Sequence, residues 1–562
     1  MAVVEFEIAD LEKMVGRKLT KDQLKKIEMM GFPIESLDDK KILYEVFPNR
    51  PDMLCVEGFA RSVKTYLGFS KGLSKYTVKK GVIKLRVNKN VENVRPSIVA
   101  AVVRNVKLTD DLLRSLMQVQ EKLHDTLGRK RKKVAIGLHD MDKVLPPFEY
   151  KAVEPDKFRF VPLDFSEEMS MREIGEKHSK GRDYIHILED SKIWPIIMDS
   201  RGEVLSFPPI INGELTRCTE KTKNIFIDIT GTDDIAVNQA LNIIVTAFAD
   251  RGCTIESVDI SGFIKKKGVN ASGVRSTPNL SPQKIKVDIN YVNKLLDMTL
   301  SQKDFSNLLS KMGYDFTSGH IIAPCYRTDI MHPIDVVEDI AIAYGYENFK
   351  PKIPAVPTIT KRSEKNEFNS VLRELVIGAG FQEVITTILT NEADEFIKMN
   401  KPKEEVCETK NPLTVDCSMC RLYLLPSMMR VLSHNRTNEY PQMIFEIGDV
   451  IIIDREKETG TNDVSKLCTA MCGTKVGYEN LSVVIDALMR NLGIAYDLKK
   501  AQDASFIDGR CAEIWSGDRC LGVIGEIHPQ VLENWNIGNP VVVFELNAEK
   551  IRGIVSKPGK TK

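Results

Sequence analysis

Apolar residues in this chain recur every three or four positions in some stretches and alternate or run together in others. That pattern predicts helices and strands in comparable measure. The sharpest helical period lies in YRTDIMHPIDVVEDIAIAYGY, residues 326–346. Pro333 suits the first helical position, where its missing N–H would be unpaired anyway. Ile334, Val337, Ile340 and Ala341 share one face, and Gly345 is a stop signal. Further helices are expected over 20–30, 56–67, 110–124, from about Ile235, and over 301–312, 366–378 and 479–492. The expected strands are VRPSIVAAVVRNVKL, Ile225-Phe226-Ile227, KIKVDI, FQEVITTILT and PQMIFEIGDVIII. RCAEIWSGDRCLGVIGEIHP reads as a hairpin, and VVVFELNAEKI as a strand entering a helix.

The chain also repeats itself. Leu11, Lys13, Leu19, Thr20, Leu24 and Ile27 match Val292, Lys294, Leu300, Ser301, Phe305 and Leu308 at constant spacing. After a one-residue slip, Met30-Gly31-Phe32 matches Met312-Gly313-Tyr314. NRPDMLCVEGFA (residues 49–60) echoes YRTDIM…VVEDIA, pairing Arg50 with Arg327, Asp52 with Asp329 and Glu57 with Glu338. Leu54 and Gly58 then stand where the second copy has Asp335 and Asp339. Residues 1–85 and 275–350 are thus two copies of one small strand-and-helix unit. Strands and helices alternate over 86–272, and Pro351, Pro354 and Pro357 space a linker ahead of an α+β domain at 358–562. The fold class is α+β and multidomain.

Asp335, Glu338 and Asp339 fall at i, i+3 and i+4 on one helix face, with Asp329 just upstream. Acids in a first turn complement the helix dipole, which is the plainest account of them. Two carboxylates ~5 Å apart, however, repel by ~3 kcal/mol at an effective dielectric of about 20. Four together call for a cation or basic partners, and hard oxygen ligands suit Mg²⁺ better than zinc or iron.

Length and composition narrow the class. With 562 residues and 43% hydrophobic positions, the chain is long enough for three to five packed domains. Lys+Arg of 79 against Asp+Glu of 78 leaves no global field, so a polyanion must be met by local patches. Eleven scattered cysteines fit a reducing compartment. The start, MAVVEFEIADLEKM, carries early acids and lacks the apolar segment of a signal peptide. No apolar run reaches 18 residues, so no membrane span is expected and the location reads as cytoplasmic.

Several motifs carry candidate chemistry. GRKRKKVAIGLHD holds the densest basic run, Arg129, Lys130, Arg131, Lys132 and Lys133, either a solvated turn or a phosphate contact. In SFPPIINGELTRCTEKTKNIFIDITGTDD, two prolines stiffen a loop and Asn212-Gly213 signals a turn. The buried strand leads to Asp228, Thr230 and Thr232, placed to read a small ligand or to close a turn network. Cys417-Ser418-Met419-Cys420 is a CxxC, but Cys468 and Cys472 are one residue too widely spaced and no His completes a zinc set.

Together, NRPDMLCVEGFAR, GRKRKKVAIGLHD, SFPPIINGELT with DITGTDD, the 326–346 stretch, NPLTVDCSMCRLYLLPSMM, and IFEIGDV with GVIGEIHPQVL resemble the β subunit of phenylalanyl-tRNA synthetase, of the archaeal/eukaryotic cytosolic kind. The match spans nearly the whole chain. The resemblance implies Mg²⁺ held by Asp329, Asp335, Glu338 and Asp339 near the contact with an α subunit. It implies that 86–272 is an editing-type domain hydrolysing mischarged Tyr-tRNA(Phe), with Ser206, Asn212, Asp228 and Thr230 lining the amino-acid pocket. It further implies that 358–562 is a class II synthetase-like domain without its chemistry. The residues agree with that loss: the strand IFEIGDV carries Glu446 where a class II site needs an Arg for the ATP α-phosphate, and VFELNAEKI lacks the glycines and Arg for the γ-phosphate. P-loop and GxGxxG motifs are absent as well.

The resemblance therefore implies an (αβ)₂ ligase in which α binds ATP and phenylalanine while this chain scaffolds, edits and helps hold tRNA(Phe). Two competing classes are a stand-alone nucleic-acid-binding or trans-editing protein and a purely structural assembly protein. No His–acid pair is evident in the sequence to activate a hydrolytic water.

Overall fold

A computed structural model describes residues 2–263, 273–354 and 360–555. Its contacts divide into two units, Met1–Ile353 and Pro354–Lys562. Pro357 of the expected linker, and residues 264–272 at the end of the expected 86–272 domain, lie outside the described residues.

In the first unit the two repeats build the same object. Each has a three-stranded antiparallel sheet of the same order, Ala2–Glu7 with Lys41–Val46 and Ile34–Leu37, and Gln283–Lys286 with His320–Ala323 and Asp315–Thr317. Thr20 and Ser301 cap equivalent helices, their hydroxyls accepting the N–H of Gln23 and Asp304 at 3.2 Å each. In the first copy the helix is shorter than its pattern suggests: Lys21–Lys26 tightens into a 3₁₀ turn over Ile27–Met30. Gly31 and Gly313 follow at φ +91° and +80°, a conformation in which a side chain would be strained.

The structure corrects the pairing of the second helices. Cys55 and His332 are their N-caps, three residues beyond Asp52 and Asp329, so nothing is inserted between copies here. Gly58, Arg61 and Ser62 therefore answer to Asp335, Glu338 and Asp339, and Glu57 does not pair with Glu338. The hydrogen bonds agree: Arg50 donates to Asp52 and to Ser62 Oγ (3.3 Å), as Arg327 donates to Asp329 and Asp339. The copies also touch reciprocally, Val56–Tyr66 against Gln302–Lys311 and Pro333–Tyr344 against Ile27–Met30.

The rest of this unit is built around a ten-stranded sheet, beside a small two-stranded one, Arg159–Phe160 with Met169–Ser170. Thr254–Gly262 runs parallel to Val78–Val87 and antiparallel to Ser97–Arg104. Ile225–Gly231 lies between Ser97–Arg104 and Val134–Asp140, antiparallel to both. On the other side follow Phe148–Val153, Trp194–Met198, Val204–Phe207 and Ile211–Asn212. Val99, Ala101, Ile227 and Ile229 pack with the helices Asp110–Asp125 and Asp234–Asp250, while Ala100, Val102 and Phe226 pack with Leu85, Phe148 and Val258. Both faces are covered, which is why these strands read as unbroken apolar runs rather than alternations.

The second unit is a seven-stranded sheet whose centre is Gln442–Ile453, Thr461–Cys472, Val541–Asn547 and Arg519–Ile527, all antiparallel. Cys468, Ala470 and Val543 face one core, and Leu467, Phe544 and Leu546 the other. FQEVITTILT is not one strand: it splits into Gln382–Glu383 and Leu389–Thr390 in different sheets. Between them Ile385 is 90% exposed, and Thr386 donates its hydroxyl to Glu446.

Candidate functional site

The register of Ile225–Gly231 against Val134–Asp140 builds the site. It sets Asp228 opposite Gly137 and Phe226 opposite His139, so Asp228 and His139 are diagonal neighbours on one face. Gly137 leaves the space between them: a Cβ there would come within 2.0 Å of Asp228 Oδ2 and 2.7 Å of His139 Nε2. The two side chains meet instead, His139 Nε2 standing 2.8 Å from Asp228 Oδ2 and its Nδ1 2.8 Å from Thr216 Oγ1. This is a buried His–acid pair that the sequence had not disclosed. Asp228 and Thr230 also lie within the strand, not beyond it as expected, because pairing on both sides carries the strand through to Gly231.

Above them is a cavity of about 390 Å³, lined by Ser206, Asn212, Asp228 and Thr230 among others. Leu113, Leu116 and Met117 give it an apolar wall, and Pro208, Pro209 and Ile210 another. Asn212 Nδ2 donates to Leu138 O at 3.3 Å, and Thr230 Oγ1 accepts from Arg95 Nε at 2.9 Å. Ser206 Oγ is buried and has no partner, an expense of about 1–3 kcal/mol that a bound polar group would relieve. Arg95, fully buried, also donates to the carbonyls of Thr230, Arg131 and Lys132, and burial pulls its pKa down to about 10.

The basic run is split by function. Arg129, Lys130 and Arg131 follow one another at φ 47°, 52° and 64°, which turns Arg131 inward. It donates to the carbonyls of Pro209 and Ile210 and pairs with Glu121 at 2.8 Å, fastening the proline loop to the helix Asp110–Asp125. Lys133 pairs with Asp233 at 3.0 Å, leaving Arg129, Lys130 and Lys132 exposed beside the cavity. His124, whose Nε2 accepts the Ile136 N–H at 2.9 Å, is held neutral by burial. Its Nδ1, 3.7 Å from Glu121, and the Arg131 guanidinium hold Glu121 down at about 2.

The four acids of the second repeat are not gathered on one ion. Arg327, buried, donates to both oxygens of Asp329 at 2.8 and 2.7 Å and to Asp339 Oδ2 at 2.7 Å, where the Tyr314 hydroxyl also binds. Burial disfavours the Asp329 carboxylate, but the Arg327 charge outweighs it and keeps the pKa below its usual value. Asp335 accepts the N–H groups of Met331 and His332 at 2.8 and 2.7 Å, and exposed Glu338 accepts the Tyr346 hydroxyl at 2.7 Å. Among the described residues no three His, Cys, Asp or Glu side chains are grouped to hold a metal. As arranged, these carboxylates neutralise an internal arginine and cap a helix.

Residues 82–247 match a B3/4 domain, 285–346 a tRNA synthetase B5 domain, and 350–548 a phenylalanyl tRNA synthetase beta chain CLM domain. The phenylalanine–tRNA ligase beta subunit of Thermococcus sibiricus is 42% identical over 557 residues, covering 96% of this chain and 98% of that protein. That of Methanocaldococcus jannaschii is 41% identical over 98% of this chain and its own full length. The crystal structure of an N-terminal fragment of the phenylalanyl-tRNA synthetase beta subunit from Pyrococcus horikoshii superposes with a TM-score of 0.57 at 39% identity, over 61% of this chain and 99% of the fragment. The chain belongs to the phenylalanine–tRNA ligase β-subunit family.

In the second unit, the buried charges around Gln442–Ile453 and Val541–Asn547 are paired with one another. Glu446 pairs with buried Arg421 at 2.8 Å, and Arg421 further donates to Thr386 and to the Asp449 carbonyl. Lys466 is held by Glu545 at 2.7 Å, whose other oxygen accepts the N–H groups of Leu424 and Leu425. Cys417 and Cys420 are partly exposed free thiols, outside any metal-holding group among the described residues.

Proposed function

We propose that the cavity of the first unit hydrolyses tyrosine wrongly attached to tRNA(Phe), within a phenylalanine–tRNA ligase whose α subunit performs activation and transfer. One observation carries this reading: a cavity of about 390 Å³ with two apolar walls holds a Ser206 hydroxyl without a partner among the described residues, and the Asp228 carboxylate. That size falls in the range of small-ligand pockets, roughly 300–1,000 Å³. Tyrosine differs from phenylalanine by one hydroxyl, and a pocket with buried polar groups can favour the bearer of that hydroxyl by up to about 10⁴–10⁵. The exposed Arg129, Lys130 and Lys132 at the margin are suited to the phosphates of the acceptor strand.

We place the complex in the cytoplasm, with Mg²⁺ as the cation suited to Asp329, Asp335, Glu338 and Asp339. Among the described residues no helix is long and apolar enough to cross a membrane. The test is deacylation of Tyr-tRNA(Phe) by this chain complexed with its α subunit. The wild type releases tyrosine, and Asp228→Asn and Ser206→Ala slow release by about 10²-fold or more and about 10-fold respectively. Release at the uncatalysed rate by the wild type removes the reading.

A further inference from the structure

The two apolar walls of the cavity belong to different elements: the helix Asp110–Asp125 carries one, and the loop of Pro208, Pro209 and Ile210 the other. The Arg131 side chain spans them. Its Nη1 donates to the Pro209 and Ile210 carbonyls at 3.3 and 2.8 Å, and its Nη2 donates to Glu121 Oε1, on the helix, at 2.8 Å. The guanidinium carbon also stands 4.6 Å from the centre of the Tyr184 ring, at the end of the helix Ser179–Tyr184, whose Ser179 and Lys180 line a third side. The backbone of Arg131 is held as well, its N–H donating to His124 O and its carbonyl accepting from Arg95, both at 3.1 Å. Only 7% of the residue is exposed, so these bonds meet little competition from water. A guanidinium presents its donors in a rigid plane, so partners on two sides of it are kept a fixed distance apart. That distance matters in an apolar slot, because a gap of about 0.5–1 Å beyond contact forfeits roughly a quarter to a half of the dispersion attraction between facing atoms. A flat ring touches both walls only while they stay one ring thickness apart.

We propose that Arg131 is a positioning residue for the deacylation reaction: bridging Glu121 and the proline loop, it holds the two apolar walls at the separation of a flat aromatic aminoacyl side chain. This rests on the deacylation reading above. It also explains why one member of the basic run turns inward while Arg129, Lys130 and Lys132 stay exposed.

The experiment measures kcat/KM for deacylation of Tyr-tRNA(Phe) and of its aliphatic counterpart Leu-tRNA(Phe), corrected for uncatalysed ester hydrolysis. It compares the wild-type α–β complex with complexes carrying Arg131→Met, Glu121→Ala or both. Either single change frees one wall, and the ratio of the tyrosyl to the leucyl value falls by about 10-fold. The double variant falls no further, since both residues serve one bridge. Affinity for uncharged tRNA(Phe) stays at the wild-type value because Arg129, Lys130 and Lys132 are intact. Glu121 is half-exposed, so Glu121→Ala carries the test by itself where Arg131→Met fails to fold. An unchanged ratio overturns the proposal. Additive losses in the double variant, or equal losses on both esters with weakened tRNA binding, mark a merely structural role and overturn it too, leaving the deacylation reading in place. A wild type that neither deacylates Tyr-tRNA(Phe) nor binds a non-hydrolysable tyrosyl-adenosine analogue overturns both.

Discussion

Glu395 in the second unit shows how burial alone reshapes one side chain. It is fully buried; Oε1 accepts the N–H groups of Leu422 and Tyr423 at 2.7 and 2.8 Å, and Oε2 has no partner. Desolvation, helped by the neighbouring Glu545 charge, pushes its pKa from 4.5 to about 7. The folded chain therefore holds a proton that the unfolded chain releases above 4.5. Stability falls as pH rises between about 4.5 and 7, by on the order of 3 kcal/mol in all. In the full chain, Glu395→Gln flattens this slope and raises the melting temperature at pH 8 relative to wild type; parallel melting curves from pH 5 to 8 in the two proteins would contradict it. The same scale explains what the sequence concealed at the cavity. Ser206, Asn212, Asp228 and Thr230 came from the family resemblance and not from their pattern, which suits a turn network equally, and His139 becomes a partner of Asp228 only through strand register and the missing side chain of Gly137.

Among the secondary-structure elements, legibility followed locality. Caps at Thr20 and Ser301, the helix from Pro333, and the hairpin in the second unit were readable because neighbouring residues determine them. FQEVITTILT misled because its apolar residues serve a bend, and the repeat pairing slipped because matching acids outweighed the caps that fix where each helix begins. The acid-bearing helix Pro333–Tyr344 carries the clearest consequence. Its spacing did place Asp335, Glu338 and Asp339 near one another, but one turn of helix takes Asp339 inward to Arg327 and leaves Glu338 outside. Breaking such a buried pair costs about 3–5 kcal/mol. Asp339→Ala is accordingly expected to lower unfolding free energy by that order in denaturant titration, whereas Glu338→Gln changes it by less than about 0.5 kcal/mol. Equal, Mg²⁺-dependent losses in both variants would instead assign that stability to a shared ion.

Across the whole molecule, near-equal numbers of acids and bases leave recognition to local surfaces. In the second unit buried Arg421 is occupied by Glu446, Thr386 and the Asp449 carbonyl. The chain by itself is expected to show no phenylalanine-dependent ATP–pyrophosphate exchange and to gain it on mixing with its α subunit. Exchange by the lone chain would refute this.

The twin units of the first half meet through reciprocal contacts, with Arg50 and Arg327 within electrostatic range of each other. That geometry is the isologous interface of a two-fold dimer, tethered into a single polypeptide. A true dimer must accept every substitution twice, once on each side of its axis. A tethered one can alter a single side, which is how a serine at 62 can face the arginine of one half while an aspartate at 339 faces that of the other.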